Sequence, residues 1–239
     1  MTITAKNHKK LLADIEEEVV ATRDYLGKEN LDPRVMAAMA AVPRHLFVPP
    51  EHRKLAYRNR PLPIGGGQTI SQPFIVALMS DLAAPRPGDK VLEVGTGCGY
   101  QAAVLAEMGA DVYSIERRPA LAEQAGDNLR QAGYPNVKLR QGDGSLGWPE
   151  AAPFAAILVT AAAFRRPPPA LIEQLALGGR LVIPVSKEGL LETLCSAVDL
   201  PALTASQELR LVTKDAKGGI KARVILPVAF VPLVEGEAH

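Results

Sequence analysis

Four short stretches carry side chains whose types and spacing could do chemistry. The first, residues 90–100, runs Lys90-Val91-Leu92-Glu93-Val94-Gly95-Thr96-Gly97-Cys98-Gly99-Tyr100. Glycine at every second position lets a backbone turn tightly and approach a ligand with no Cβ in the way. A helix opening directly after the turn presents N–H groups and a positive dipole end, suited to a carboxylate or a phosphate. The second stretch, Asp111-Val112-Tyr113-Ser114-Ile115-Glu116, reads as a strand ending in an acid, and an acid so placed can accept both hydroxyls of a ribose. The third is Asp143 between Gly142 and Gly144. It is suited to hydrogen-bonding a nucleobase amine, with a plain turn as the competing reading. The fourth joins three glycines, Gly65-Gly66-Gly67, to Gln68, Thr69, Ile70 and Ser71 in a loop that can lie against a ligand. Spacing alone favours Ser71 as a helix cap over a catalytic group.

The elements that must position these residues alternate in type. Val91, Leu92 and Val94 form a short β-rich run, and residues 101–108 have the preferences and apolar spacing of a helix. Further strands are expected at 111–116, 137–141, 155–160 and 180–185. Helices are expected at 74–82, with Ser71 at or near the N-cap, at 119–131 ending near Gly133, and at 167–175, after which Gly178-Gly179 turns the chain. This alternation with short connections predicts an α/β fold with a doubly wound parallel sheet, whose ligands lie beyond the carboxyl ends of the strands. Gly95, Glu116, Asp143 and Thr160 all fall at such ends. Runs at 209–213 and 222–231, turned through Lys217-Gly218-Gly219, predict a closing antiparallel hairpin.

Ahead of the sheet, Leu11, Leu12, Ile15, Val19 and Val20 recur at helical spacing among acidic residues read as a solvated face. Asp32 can cap and Pro33 can open a second helix that stops before Pro43. The proline-punctuated segment 42–50 is expected to dock apolar residues on the main body. The division expected is a helical extension over 1–60 packed on a domain over 61–239.

Composition narrows the function. With 239 residues, 47% apolar, 22% charged and a formal charge of +1, the chain has the make-up of a soluble globular protein and lacks a basic footprint for nucleic acid. No apolar run is long enough to span a bilayer, and charged residues stand where a signal peptide would be apolar, so a cytoplasmic, membrane-free setting is expected. Cys98 and Cys195 are read as reduced thiols, and their spacing suggests no metal site. A monomer is expected.

Tyr100 stands where a dinucleotide fingerprint would have its third glycine, which argues against NAD. The pattern Glu93-x-Gly95-x-Gly97-x-Gly99 instead resembles the first motif of class I, Rossmann-like methyltransferases that use S-adenosyl-L-methionine. Over most of its length the chain resembles the protein-L-isoaspartate (D-aspartate) O-methyltransferase family. The resemblance begins at Val42-Pro43-Arg44-His45-Leu46-Phe47-Val48 and includes 68–73, Gln68-Thr69-Ile70-Ser71-Gln72-Pro73, the most specific signature. It takes in residues 93–101, 142–144, Val159-Thr160-Ala161-Ala162, 178–182 and Phe230-Val231-Pro232-Leu233.

The resemblance implies methyl transfer from S-adenosyl-L-methionine, leaving S-adenosyl-L-homocysteine, to the free carboxylate of L-isoaspartyl residues in damaged proteins, with activity on D-aspartyl residues left open. The ester would then cyclise to a succinimide that hydrolyses partly to normal aspartate. By the same resemblance Ser71 is the active-site residue; Glu93 and the turn of Gly95, Thr96, Gly97 and Gly99 hold the methionine portion; Glu116 the ribose; and Asp143 with Gly144 the adenine. Gln68, Thr69 and Thr160 join the cofactor set, and Ile70, Ser71, Val185 and Ser186 the substrate side. Three positions depart from the pattern: Cys98 where serine is common, Ala155 where aspartate is common, and Ser186 where glycine is usual. Residues 191–207 look longer than in compact relatives.

A carboxylate with a reference pKa of about 4 is already anionic at neutral pH, so its methylation needs no general base. The four histidines, His8, His45, His52 and His239, lie off the expected cofactor-facing strand ends. Two other readings remain: a carboxyl methyltransferase for one dedicated peptide, and a noncatalytic module that binds S-adenosyl-L-methionine.

Overall fold

A computed structural model of the chain describes residues 3–187 and 207–236. Cys195, His239 and the lengthened stretch before Gln207 therefore lie outside the described residues. Helices α1 (Ile3–Ala21), α2 (Arg23–Leu26) and α3 (Pro33–Ala41) lead the chain, followed by 3-10 turns at Arg44–Leu46 and Pro50–Leu55. The local signals for α3 are used as expected: Pro33 occupies its first turn and the Asp32 side chain accepts the Arg34 N–H at 2.8 Å.

The glycine-rich stretch expected as a loop is the tip of a hairpin. Strands β1 (Leu62–Gly65) and β2 (Gln68–Ile70) pair antiparallel, with Leu62 opposite Ile70 and Pro63 opposite Thr69. Gly65, Gly66 and Gly67 all have positive φ, which closes so short a turn, and the pairing pins Gln68 and Thr69 at a fixed height. Helix α4 (Pro73–Ala83) follows, and Ser71 is not its cap. Gln72 holds that position without a side-chain capping bond, and the first turn is capped from a distance: Asn59 Oδ1 accepts the Phe74 N–H at 3.0 Å.

Then come β3 (Lys90–Val94), α5 (Tyr100–Glu107), β4 (Asp111–Glu116), α6 (Pro119–Ala132), β5 (Lys138–Gln141), β6 (Phe154–Val159), the short β7 (Ala163–Phe164), α7 (Pro169–Glu173), β8 (Leu175–Ser186), β9 (Gln207–Lys214) and β10 (Ile220–Val228). The main sheet runs β10-β9-β8-β6-β3-β4-β5, with β7 beside the end of β8. Strands β8, β6, β3, β4 and β5 are mutually parallel, and β9 and β10 add the antiparallel hairpin. Strand β8 begins at Leu175 rather than at Arg180, because Gly178-Gly179 forms an irregularity within the strand instead of a turn before it.

Alternation along the strands sorts two cores. Val91, Ala156, Leu158 and Val182 face a cluster that includes Leu11, Ile15, Val35, Met39, Phe74, Leu105 and Leu129. Leu92, Val94, Ile157, Val159, Leu181 and Ile183 face the other, with Phe154, Leu171 and Leu175. Period-two placement on both faces is what a doubly wound sheet requires. The leading helices share the first cluster with the sheet.

One buried charge ties the leading segment to the sheet. Arg44 is fully buried; its Nε donates to Ala56 O at 3.0 Å, its Nη2 to Ser71 O at 2.8 Å, and its guanidinium lies 4.7 Å from the Tyr100 ring centre. Burial lowers the Arg44 pKa, so these contacts offset a desolvation cost. Arg44→Lys retains the charge but not the planar fork that reaches both carbonyls. We expect it to lower unfolding free energy by about 2 kcal/mol or more in urea titration, with one carbonyl left buried and unpaired.

Candidate active site

The glycine turn is wired inward. The Gly95 and Thr96 N–H groups donate to Ile115 O at 2.8 and 3.2 Å, Gly99 N–H donates to Thr96 O at 2.8 Å, and Gly97 N–H donates to Glu116 Oε2 at 2.8 Å. The Gly95, Thr96 and Gly97 donors thus hold the β3 and β4 ends together, and the Gly99 donor closes the turn itself. Glu116 accepts a second N–H, from Arg118, on Oε1 at 2.9 Å. Each of its oxygens keeps lone-pair capacity for a hydroxyl.

Gly95 has φ +94° and sits against Thr160, whose hydroxyl donates to Gly95 O at 2.6 Å. A Cβ on residue 95 would lie 2.4 Å from Thr160 Oγ1. Gly144 is required in the same way, since its Cβ would fall 2.4 Å from Val94 Cγ1.

Glu93 is fully buried at the centre of the sheet. Its Oε2 accepts the Ser114 hydroxyl, which lies 2.6 Å from the Thr96 hydroxyl, and its Oε1 has no partner among the described residues. Burial pushes the Glu93 carboxyl up to about 8; the Ser114 hydrogen bond opposes that rise and nearby Glu116 adds to it.

Three cavities meet here. A cavity of about 100 Å3 is lined by Gln68, Thr69, Gly95, Gly97, Glu116, Gly144 and Thr160. A groove of about 480 Å3 opens beside Thr69, Ser71, Gln72 and Thr160. A narrow space of about 40 Å3 reaches inward past Ile70, Ser71, Glu93, Thr96 and Gly97. Thr69 and Thr160 line all three.

Most of the residues singled out in the sequence thus converge, but four take other places. Val185 and Ser186 are buried in β8 beside β7 and line none of these cavities. Gly99 opens α5 against Leu129 instead of facing a cavity. Asp143 has both oxygens engaged within the chain: Oδ1 takes the Ser145 N–H and hydroxyl at 2.8 and 2.7 Å, and Oδ2 the Gly236 N–H at 2.6 Å.

That last bond reveals what spacing did not. The segment 231–236 runs back across the site, pairing with Ala162 through Val231 O and Leu233 N at 2.8 Å each, so that Val231 to Val234 wall the 100 Å3 cavity. Arg117 and Arg118 also line it, and the basic pair directly after a strand-end acid was a readable signal. Glu18, far away in the chain, lines the groove from α1. No periodicity distinguishes it from its acidic neighbours.

Comparison with known proteins agrees with this geometry. The family model for protein-L-isoaspartate(D-aspartate) O-methyltransferase matches residues 17–238. The chain is 53% identical over 227 residues to protein-L-isoaspartate O-methyltransferase 2 of Syntrophobacter fumaroxidans, covering 95% of this chain and 85% of the relative. It is 54% identical over 223 residues to the protein of the same name from a Polaromonas species, covering 93% and 98%. A solved protein-L-isoaspartate O-methyltransferase superposes with TM-score 0.74 at 26% identity, across 94% of this chain and 65% of that one. At the level of fold, a Plasmodium falciparum structure described as a protein-L-isoaspartate O-methyltransferase bound to S-adenosyl-L-homocysteine gives TM-score 0.72 at 24% identity, covering 96% and 99%. With a central parallel sheet, an antiparallel closing hairpin and a matched sequence from residue 17 onward, the chain belongs to the protein-L-isoaspartate(D-aspartate) O-methyltransferase family.

Proposed function

We propose that the enzyme transfers the methyl group of S-adenosyl-L-methionine to the free α-carboxylate of L-isoaspartyl residues in damaged peptides and proteins, and that Ser71 positions that carboxylate. The observation that carries this reading is the shared wall: Thr69 and Thr160 stand between a cavity with a strand-end acid and an open groove on which Ser71 lies. Donor and acceptor can approach from opposite sides of one short strand. Among the described residues no helix is long and apolar enough to cross a membrane.

The residues present fit the cofactor. The orphan Oε1 of buried Glu93 suits an ammonium group, and Glu116 retains acceptor capacity for a diol. Gly95 and Gly144 keep Cβ atoms out of the crevice; Asp143, to which the family resemblance gives the adenine amine, has its oxygens engaged by Ser145 and Gly236, so its Oδ2 would be shared between that amine and the Gly236 N–H. S-Adenosyl-L-methionine supplies, when bound, an electrophilic methyl on a sulfonium.

The remaining work is positioning. The substrate carboxylate is anionic at neutral pH and needs no base. Among the described residues no histidine lines the three cavities; His8 is bonded to Met39 O and His45 to the Tyr57 hydroxyl. The Ser71 hydroxyl donates to the substrate carboxylate, on a backbone that Arg44 holds through Ser71 O. Good orientation contributes roughly 7–11 kcal/mol, enough for such a site to dispense with strong acids and bases.

Three outcomes are expected. Labelled S-adenosyl-L-methionine should deposit base-labile label on an isoaspartyl peptide and not on the same peptide with normal aspartate; equal labelling of both would reject the substrate assignment. Ser71→Ala should lower kcat/KM by about 10²-fold, as loss of one preorganised donor does, while cofactor affinity measured by calorimetry stays within about twofold. Parallel loss of both would make the loop a cofactor clamp. Because the Glu93 pKa is raised, the folded protein holds a proton there that the unfolded chain releases, so its contribution is full below about 4.5 and is lost as pH rises through about 8. Glu93→Gln should remove that decline in cofactor-free protein, worth on the order of a few kcal/mol in unfolding free energy between pH 6 and 9, and should weaken cofactor binding.

A further inference from the structure

The groove beside Ser71 has walls of threonine, proline, aromatic and aliphatic side chains, and among the described residues its only ionisable lining residue is Glu18 on α1. Uncharged donors hold that carboxylate in place: Asn59 Nδ2 donates to Oε2 at 2.6 Å, and Gln72 Nε2 lies 2.9 Å from Oε2 and 3.1 Å from Oε1. Among the described residues no lysine, arginine or histidine pairs with it. A clamp on Gln72 and Asn59 explains why residue 18 is an acceptor. It does not explain why it is an acid, since a glutamine carbonyl accepts the same N–H groups at no cost in buried charge.

A fixed anion in a groove that receives an anionic carboxylate repels its substrate unless the peptide brings a positive charge to meet it. The apolar end of β10, with Leu226 and Val228, and Phe230 just beyond it form part of the wall and limit screening by water. Partial burial raises the Glu18 carboxyl above its ordinary value, with the Gln72 and Asn59 contacts opposing the rise, so the uncompensated charge is costly in the free protein.

We propose that Glu18 sets the charge preference of the groove: it receives a lysine or arginine side chain flanking the isoaspartyl residue and turns away peptides with an acid there. This rests on reading the groove as the peptide site. It also gives the leading helix a role in selection that the sheet cannot supply.

The test uses three isoaspartyl peptides identical except for lysine, glutamine or glutamate at the neighbouring position, with methyl transfer measured for the full-length wild type, Glu18→Gln and Glu18→Asp. Wild type should favour the lysine peptide over the glutamate peptide by at least about tenfold in kcat/KM, mainly through KM, with the ratio shrinking in high salt. Glu18→Gln should bring the ratio to about twofold or less, whereas Glu18→Asp, which keeps the charge, should preserve most of it even if rates fall. An unchanged ratio in Glu18→Gln, or a uniform loss on all three peptides, would overturn the proposal and leave Glu18 as a clamp. Methylation of none of the three by wild type would instead overturn the reading of the groove itself.

Discussion

The site depends on the contact between the Thr160 hydroxyl and the Gly95 carbonyl, 2.6 Å apart at the point where β6 and β3 leave the sheet. From β3 the chain winds first to β4 and β5, then returns to β6 and β8 on the other side. Two neighbouring parallel strands that send their continuations to opposite sides leave a crevice between them. Thr160 closes the floor of that crevice, and residue 95 must lack a Cβ for the strands to come so near. The bonds from Gly95, Thr96 and Gly97 to Ile115 and Glu116 then hold the third strand end in register with the first two.

Around this floor the protein sets buried polar groups of opposite character. Arg44 stands fully buried against Tyr100 and Glu93 fully buried beside Ser114, with Cys98 in the same region. Burial pushes the Cys98 thiol up to about 11, which makes it a small packing residue and not a nucleophile. Such groups cost desolvation energy that a purely apolar core would avoid. Their placement is informative because each touches the reaction site: Arg44 through the Ser71 carbonyl and Glu93 through the narrow space it shares with Ser71.

The leading helices have a second task besides covering the sheet. The first of them brings Glu18 to Gln72 next to Ser71, and the segment that follows them brings Asn59, which caps α4 from outside. The final segment does the equivalent on the cofactor side, where 231–236 bridges Ala162 and Asp143. Neither end of the chain belongs to the parallel sheet, yet each walls one side of the place where donor and acceptor meet.

What could be read from the sequence was whatever depends on neighbours in the chain. Glycine spacing at 95, 97 and 99, an acid ending each of two strands, the Asp32-Pro33 helix start and the period-two runs of β3, β6 and β8 are local rules, and the alternation of elements implied a doubly wound sheet whose strand ends gather Gly95, Glu116 and Thr160. The tertiary structure alone decided the rest. It turned an expected loop at 62–70 into a hairpin, moved the helix cap from Ser71 to Asn59, buried Val185 and Ser186 away from the groove, spent the turn's amides on β4, and brought Glu18 and Gly236 to the site. Apart from the hairpin, whose strands pair within eight residues, each of these rests on a partner 15 or more residues away in sequence. Hydrogen-bond and packing energy depends on distance in space, whereas a linear pattern reports only the few residues that one turn or one strand can reach.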